Sequence, residues 1–326
     1  MNDFTFVKAQ TTTGAITAVA REWGARYVAG GTNILDLMKD AVEAPPMLVD
    51  INALPLREIE WQQDRFVVGA LARMSDVAGD PQLRGAFPAI AIALDESASP
   101  QLRNMASIGG NVLQRTRCAY FRDPATPCNK RDPGSGCGAI GGENRRMAVL
   151  GTSEHCIATH ASDLAVALAA FDARIEVVGT RGTREIPVGE FYRLPGSTPQ
   201  METRLAPGEL ITAVIVPALS YSRRSTYLKV RDRAEYEFAL ASAAVAVDVA
   251  NGTIREARVA LGGIATVPWR SPEAERALAG APAERASFER AAEAALTGAR
   301  GYGENDYKIV LAKRTLVRAL EMVTAP

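Results

Sequence analysis

The chain has 326 residues, 47% hydrophobic and 23% charged, an ordinary balance for a folded protein with room for about two domains. Lys plus Arg and Asp plus Glu number 37 each, and this zero net charge removes the electrostatic reason to expect nucleic acid or an anionic membrane as the main partner. No basic segment leading into an apolar run opens the sequence, and no run of about 18 apolar residues occurs, so neither a secretory signal nor a membrane span is expected.

Residues 12–24 are expected to form a helix, with Thr13 as N-cap, an Ala/Ile/Val face and Gly24 as the stop. Arg26-Tyr27-Val28-Ala29 is expected to be a strand that runs into Gly30-Gly31-Thr32-Asn33-Ile34-Leu35-Asp36. A strand, paired glycines, a hydroxyl, an amide and a short helical run together expose several backbone N–H groups, and glycine lets an anion approach closely. That is either a phosphate-binding loop or an ordinary strand-to-helix turn. It is neither G-x-G-x-x-G nor a P-loop, so a Rossmann domain or an NTPase is not supported.

Short strands are expected at Met47 to Ile51 and Phe66 to Val68, a helix capped by Ser75-Asp76, and another from Pro88 to Glu96. A second Gly-Gly-polar turn, Ser107-Ile108-Gly109-Gly110-Asn111, follows the first by about 80 residues. Two such loops can close on the two sides of one extended ligand, or be unrelated turns.

All four cysteines, Cys118, Cys128, Cys137 and Cys156, lie within the next 50 positions or so. Residues 122–144 are rich in Pro and Gly and lack hydrophobic periodicity; a loop this long is functional or held by something other than a core. The cysteine spacings are 10, 9 and 19, with no C-x-x-C pair. This counts against structural zinc, whose ligands are usually closely paired, and is easier to reconcile with an iron–sulfur cluster. Arg115, Arg117, Lys130 and Arg131 place positive charge nearby, which favours thiolates. A cluster, a zinc ion and unrelated buried cysteines all remain open at this point. The two histidines, His155 and His160, are too few for a His-rich metal centre, and no Ser/His/Asp constellation is identifiable.

Further on, Ser162-Asp163 caps a helix, Arg174 to Val178 is a strand, and polar residues 217–224 mark a domain boundary. Beyond it, strands are expected at 225–230, 242–249 and 254–262, then helices near 272–279 and 284–297. A last helix carries Ile309, Ala312, Leu316, Leu320 and Val323 on one face.

The two glycine loops taken together, Val28 to Leu37 and Gln101 to Asn111, resemble the FAD-binding subunit of molybdenum hydroxylases, the xanthine dehydrogenase and carbon monoxide dehydrogenase medium-subunit group. The likeness extends over nearly the whole chain. The Cys-bearing segments Thr116-Arg117-Cys118, Pro127 to Arg131 and Pro133 to Cys137 look like the branch of bacterial periplasmic aldehyde oxidases, whose flavin subunit carries an extra [4Fe–4S] cluster. The flavin subunit of 4-hydroxybenzoyl-CoA reductase has a comparable insertion with different spacing.

The resemblance implies an α+β fold: a two-part FAD-binding domain of the PCMH-like type over residues 1–220, with the Cys-containing insertion at about 115–157. A small C-terminal domain of antiparallel sheet plus three-helix bundle would follow over 221–326. It implies that Ala29, Gly30, Gly31, Thr32, Asn33 and Ile34 hold the FAD pyrophosphate, and that Ser107, Ile108, Gly109, Gly110 and Asn111 face its second side. Asp163, Ile211 and Lys229 would lie along the adenosine or flavin portions. Cys118, Cys128, Cys137 and Cys156 would be cluster ligands, and no residue of this chain would be catalytic in its own right. Expected partners are a large molybdenum-cofactor subunit and a small [2Fe–2S] subunit. The compartment would be the periplasm, by co-export with a signal-bearing partner, or the cytoplasm. Open alternatives are an aryl-CoA reductase flavin subunit and an assembly subunit with structural zinc.

Overall fold

The structure is a computed structural model and describes residues 1–62 and 64–325. It begins with a small parallel sheet in the order Thr5–Lys8, Met47–Asp50, Arg26–Val28. Parallel neighbours need a crossover, and helix Thr12–Arg21 supplies the first, burying Ala15 and Ile16. Its N-cap is Thr11, whose Oγ1 accepts from the Gly14 amide at 3.0 Å, and not Thr13 as the sequence suggested. Ser75-Asp76 likewise lies inside helix Met74–Gly79, because Arg73 is the extended residue that precedes it.

A five-stranded antiparallel sheet follows, ordered Ile59–Gln62, Arg65–Gly69, Leu210–Pro217, Arg174–Gly179, Gly182–Pro187. Its central strand, Leu210–Pro217, is apolar on both faces and buried almost throughout. That pattern lacks the period-2 alternation of a half-exposed strand, so periodicity does not reveal it. Helices Pro88–Asp95 and Asp163–Ala170 are apolar all round for the same reason: both are enclosed, and every residue of the second is buried.

The C-terminal region is an antiparallel sheet ordered Trp269–Arg270, Thr253–Gly262, Ala241–Ala250, Ser225–Val230, with helices Pro272–Leu278, Arg285–Ala295 and Tyr307–Thr324 packed on it. Strand Ala241–Ala250 shows how one sequence serves two cores. Ala243, Val245 and Val247 face the helices, whereas Ala244 and Ala246 face the N-terminal region. The alternation of side chains puts the smallest residues on the side where another layer must come close. The overall arrangement is a mixed α/β protein: an N-terminal part with a parallel and an antiparallel sheet, and a C-terminal antiparallel sheet with helices.

Between helix Ala119–Arg122 and helix Asp163–Ala170 there is no regular element, only isolated bridges such as Cys128 with Cys137 and Ser153 with Cys156. Polar side chains hold this insertion together. Arg131 donates to the carbonyls of Tyr120 at 2.7 Å, Phe121 at 2.8 Å, and Thr126. Asn129 accepts from the amides of Gly134 and Gly136 at 3.0 and 2.9 Å and donates to the His155 carbonyl at 3.1 Å. The insertion's end is clamped to the C-terminal helices. Lys308 Nζ is fully buried and donates to the carbonyls of Arg146, Met147 and Gly263 at 3.0, 3.0 and 2.5 Å.

Candidate functional site

The first glycine loop is pressed directly against the segment leading into the second. A Cβ on Gly30 would lie 1.9 Å from the Met105 carbonyl oxygen, and Gly31 has φ +71°, so glycine is required at both positions. The Ala29 carbonyl accepts from Asn52 Nδ2 at 3.0 Å, which fixes the entry to the loop. The amides of Gly31, Thr32, Asn33 and Ile34 have no acceptor among the described residues. Asn33 Oδ1 accepts from the Arg115 amide at 3.2 Å, while its Nδ2 is buried with no partner. Unpaired donors next to a close backbone approach suit the oxygens of a pyrophosphate, since buried donors are otherwise almost always satisfied.

The second loop is bonded into the fold. Ile108 is 2% exposed and belongs to the main core, and its amide donates to Ala72. The Gly109 amide donates to Ala70, and Ser107 Oγ accepts from Gly110. Most of this turn's hydrogen-bonding capacity is therefore spent on the fold. Asn111 continues the site: its Oδ1 accepts from Ser162 Oγ at 2.6 Å, and Ser162 in turn caps the enclosed helix at the Ala165 amide.

Asp163 begins that helix and is held on all sides. Tyr227 donates to it at 2.6 Å, Ser97 at 3.1 Å and Lys229 at 2.8 Å, the lysine side chain being 1% exposed. Lys229 also donates to the Glu96 carbonyl at 2.9 Å. A buried ion pair with this many partners joins three elements. Burial and the neighbouring Asp163 carboxylate push the Tyr227 phenol well above its usual range, so it stays a donor. Ile211 is not brought to this place; at 4% exposed it packs in the core from the central strand.

Beside Asp163 lies a small cleft of about 30 Å³, lined by Arg117, His160, Ser162, Asp163, Phe238 and Ser242 among others. That is room for a water molecule or two rather than for a ring system. His160 is enclosed and lies edge-on to Tyr192, ring centroids 4.5 Å apart; burial lowers its pKa to about 4, so it is neutral. Composition did not single out His160 or Arg117 for this cleft, because only the fold brings them beside Asp163.

On the other side of Arg117 lies a second, smaller cavity, lined by Cys118, Cys128, Cys137 and Cys156 with Tyr120, Phe121, Lys130 and His155. All four thiols thus share one space. Among the described residues, no three His, Cys, Asp or Glu side chains are placed to hold a single metal ion. Burial drives the Cys118 thiol up to about 12, and raises Cys156 as well, partly countered by Lys130. A buried ion network borders the cavity: Glu202 accepts from Arg115 at 2.6 Å and Lys130 at 2.8 Å. Burial alone would raise Glu202, but the two cations outweigh it and hold the carboxylate below its usual range. Arg115 also pairs with Glu43 and lies 4.4 Å over the Phe121 ring.

The two spaces are divided by very little. Arg117 faces the cleft and Cys118 the thiol cavity; Thr159 faces the cleft and Ala158 the thiol cavity. Thr116 Oγ1 ties the two strips of chain together by donating to the Thr159 carbonyl at 2.8 Å.

Comparison with known proteins agrees with this geometry. Residues 2–219 match the family model described as the FAD-binding domain in molybdopterin dehydrogenase, and residues 226–323 match the CO dehydrogenase flavoprotein C-terminal domain. The chain is 45% identical over 323 residues to the aldehyde oxidoreductase FAD-binding subunit of Escherichia coli, covering 98% of each protein. It is 26% identical to the glyceraldehyde dehydrogenase medium chain of Sulfolobus acidocaldarius, over 85% of this chain and 82% of that one. The fold matches that of carbon monoxide dehydrogenase from Hydrogenophaga pseudoflava with a TM-score of 0.77, at 24% identity over 99% and 98% of the two chains. No helix among the described residues is long and apolar enough to cross a membrane. With a glycine-built loop of unpaired amides and both domain models matched in order, this chain belongs to the family of FAD-binding subunits of molybdopterin dehydrogenases, flavoprotein components of oxidoreductases.

Proposed function

We propose that this chain is the electron-transfer flavoprotein of a molybdenum-dependent aldehyde oxidoreductase. A large partner would oxidise the aldehyde at its molybdenum cofactor, and a small partner would relay electrons through [2Fe–2S] clusters. The observation that carries the aldehyde reading is the 45% identity, end to end, with an aldehyde oxidoreductase subunit. Bound FAD accepts electrons singly or in pairs, which suits it to link iron–sulfur donors to an external acceptor. The protein's part is to hold the pyrophosphate on the unpaired amides of Gly31 to Ile34, and to exclude water with the packed turn 107–111. No acid–base pair for substrate activation is needed here, and Asp163 and Lys229 are spent on each other. The test is aldehyde turnover by the assembled complex with bleaching of its flavin. Turnover only in the reductive direction, on an aryl-CoA thioester, would sink this reading in favour of that branch.

The four cysteines are proposed as ligands of a [4Fe–4S] cluster. All four line one cavity within a single small core. A zinc ion bound at about 2.3 Å from each sulfur would need the thiolates gathered round one point. A four-iron cluster gives each thiolate its own iron and so holds them further apart. Lys130, which lines the cavity, would offset part of the negative charge of cluster and thiolates. Protein purified without air should contain about four irons and matching sulfide. Zinc without iron would overturn the cluster.

A further inference from the structure

The turn between Pro127 and Gly138 is shaped by its own hydrogen bonds. The Asn129 amide donates to the Gly136 carbonyl at 2.7 Å, and the Gly138 amide to the Pro127 carbonyl at 3.1 Å. Those two bonds flank Cys128 and Cys137, which face each other across an isolated antiparallel bridge. A pair flanked in this way is the non-hydrogen-bonded kind, whose Cα atoms stand about 4.5 Å apart with the side chains close together. A disulfide needs about 4.4–6.8 Å between Cα atoms and Cβ atoms aimed at one another. Closing one here asks for little movement of the backbone.

The remaining bonds keep this shape with protein groups alone. The Cys128 amide donates to Ser135 Oγ at 3.0 Å, and its carbonyl accepts from the amides of Arg131 and Asp132 at 3.0 and 2.8 Å. The other two thiols have no facing cysteine. Cys156 bridges to Ser153 within its own tight turn, and Cys118 caps helix Ala119–Arg122, its carbonyl accepting from Phe121 and Arg122. All four are free thiols in the structure. Access favours the same pair. Cys137 is partly exposed beside the exposed run 132–135, whereas Cys118 and Cys156 are each 6% exposed.

We propose that, when the cavity holds no metal, Cys128 and Cys137 form a reversible disulfide by reaction with small-molecule disulfides such as oxidised glutathione, and that the closed form keeps iron out. The Cys137 thiolate attacks one sulfur of oxidised glutathione, which makes a mixed disulfide and releases one glutathione. Cys128 then attacks the Cys137 sulfur; the protein S–S bond forms and the second glutathione leaves. The two cysteines give up two electrons and two protons, and oxidised glutathione takes them up as two thiols. Once closed, the pair offers no thiolate to iron. The disulfide stands without the cluster reading; only its effect on iron rests on that reading.

The experiment uses the full chain, reduced and freed of metal with a chelator under argon, then placed in glutathione buffers of rising oxidised share. Free thiols are alkylated before digestion with trypsin. Cleavage after Lys130 and Arg131 turns the internal bridge into two linked peptides, 123–130 and 132–145. Strained disulfides are the more easily reduced, so this linkage should outnumber every other by about tenfold or more. Cys118 and Cys156 should be recovered alkylated. In Cys128→Ser the mixed disulfide of Cys137 should accumulate, since nothing is left to resolve it. Predominant links to Cys118 or Cys156, an even mixture of pairs, or four thiols that stay free in the wild type would overturn the site.

Ferrous iron and sulfide are then offered to both forms. The reduced chain should take up about four irons, and the oxidised chain none until a dithiol is added. Full uptake by the oxidised chain would overturn the barrier to iron. Uptake by neither form would overturn the cluster reading instead, while the linked peptides would still carry the disulfide.

Discussion

Gly30 and Met105 are in backbone contact: a single methyl group on Gly30 would sit 1.9 Å from the Met105 carbonyl oxygen. This contact makes the two glycine loops one structure, because it fixes the first loop against the chain leading into Ser107. Flexible side chains could yield to a methyl group, but a carbonyl in a packed turn cannot without moving the turn.

Gly30→Ala is accordingly expected to separate the loops. Overpacking of this kind costs about 1–3 kcal/mol, and the unpaired amides proposed to hold the pyrophosphate move with the backbone. The expected result is a chain that folds with a lowered melting temperature and loses FAD on gel filtration. Full flavin content in Gly30→Ala would contradict the contact's importance.

The insertion should depend on Arg131 more than on any apolar residue. Its guanidinium satisfies three carbonyls of the turn that carries Tyr120, Phe121 and Thr126. Buried acceptors left unpaired cost about 1–3 kcal/mol each. Arg131→Met should make residues 119–137 a site of rapid proteolysis and fast amide exchange while the two sheets keep their protection. Unchanged exchange in that segment would show that the cysteine cavity holds the loop by itself.

In metal-free protein, cysteine reactivity should follow burial. Burial pushes Cys118 to about 12 and raises Cys156, so at pH 8 both are protonated and poor nucleophiles. Cys137 is the least buried of the four. Alkylation of chelator-treated protein, read by mass spectrometry, should label Cys137 first and Cys118 last. Equal rates at all four would mean that the apo insertion is open.

Lys308 has a pH signature. Burial, with Arg145 and Arg146 adding to it, lowers its pKa to about 7, against the ordinary lysine value near 10.4 in the unfolded chain. The unfolded state therefore binds more protons between those two values, and stability from this group rises with pH across that window. Below about pH 7 the penalty for the buried ammonium is complete; above about pH 10 it is gone. Chemical denaturation from pH 6.5 to 9.5 should show a gain in the wild type that Lys308→Met lacks. A parallel pH dependence in both would rule out Lys308 as its source.

Several elements were legible in the residues themselves. The last helix, Tyr307–Thr324, follows from its face of Ala312, Leu316, Leu320 and Val323, all of them buried. The glycine pairs marked both loops, since turns that need close approach or positive φ leave few other choices. Strand Leu210–Pro217 escaped because a strand buried on both faces has no alternation to read. The edge strands Thr5–Lys8, Ile59–Gln62 and Gly182–Pro187 escaped because short, largely exposed runs carry little pattern at all.

For the site the division is similar. Cysteine placement within one Pro- and Gly-rich stretch was enough to suggest a common ligand, since thiols without a secreted framework need another reason to cluster. Tertiary structure alone decided that Asp163 and Lys229 neutralise each other, that Ile108 and Ile211 are core, and that Arg117 and Cys118 face different cavities. Sequence by itself determined which backbone shapes were permitted and which side chains could bind electrons, anions or metal. Which of them meet was settled by packing, because contacts between residues far apart in the chain depend on the layers that bury both.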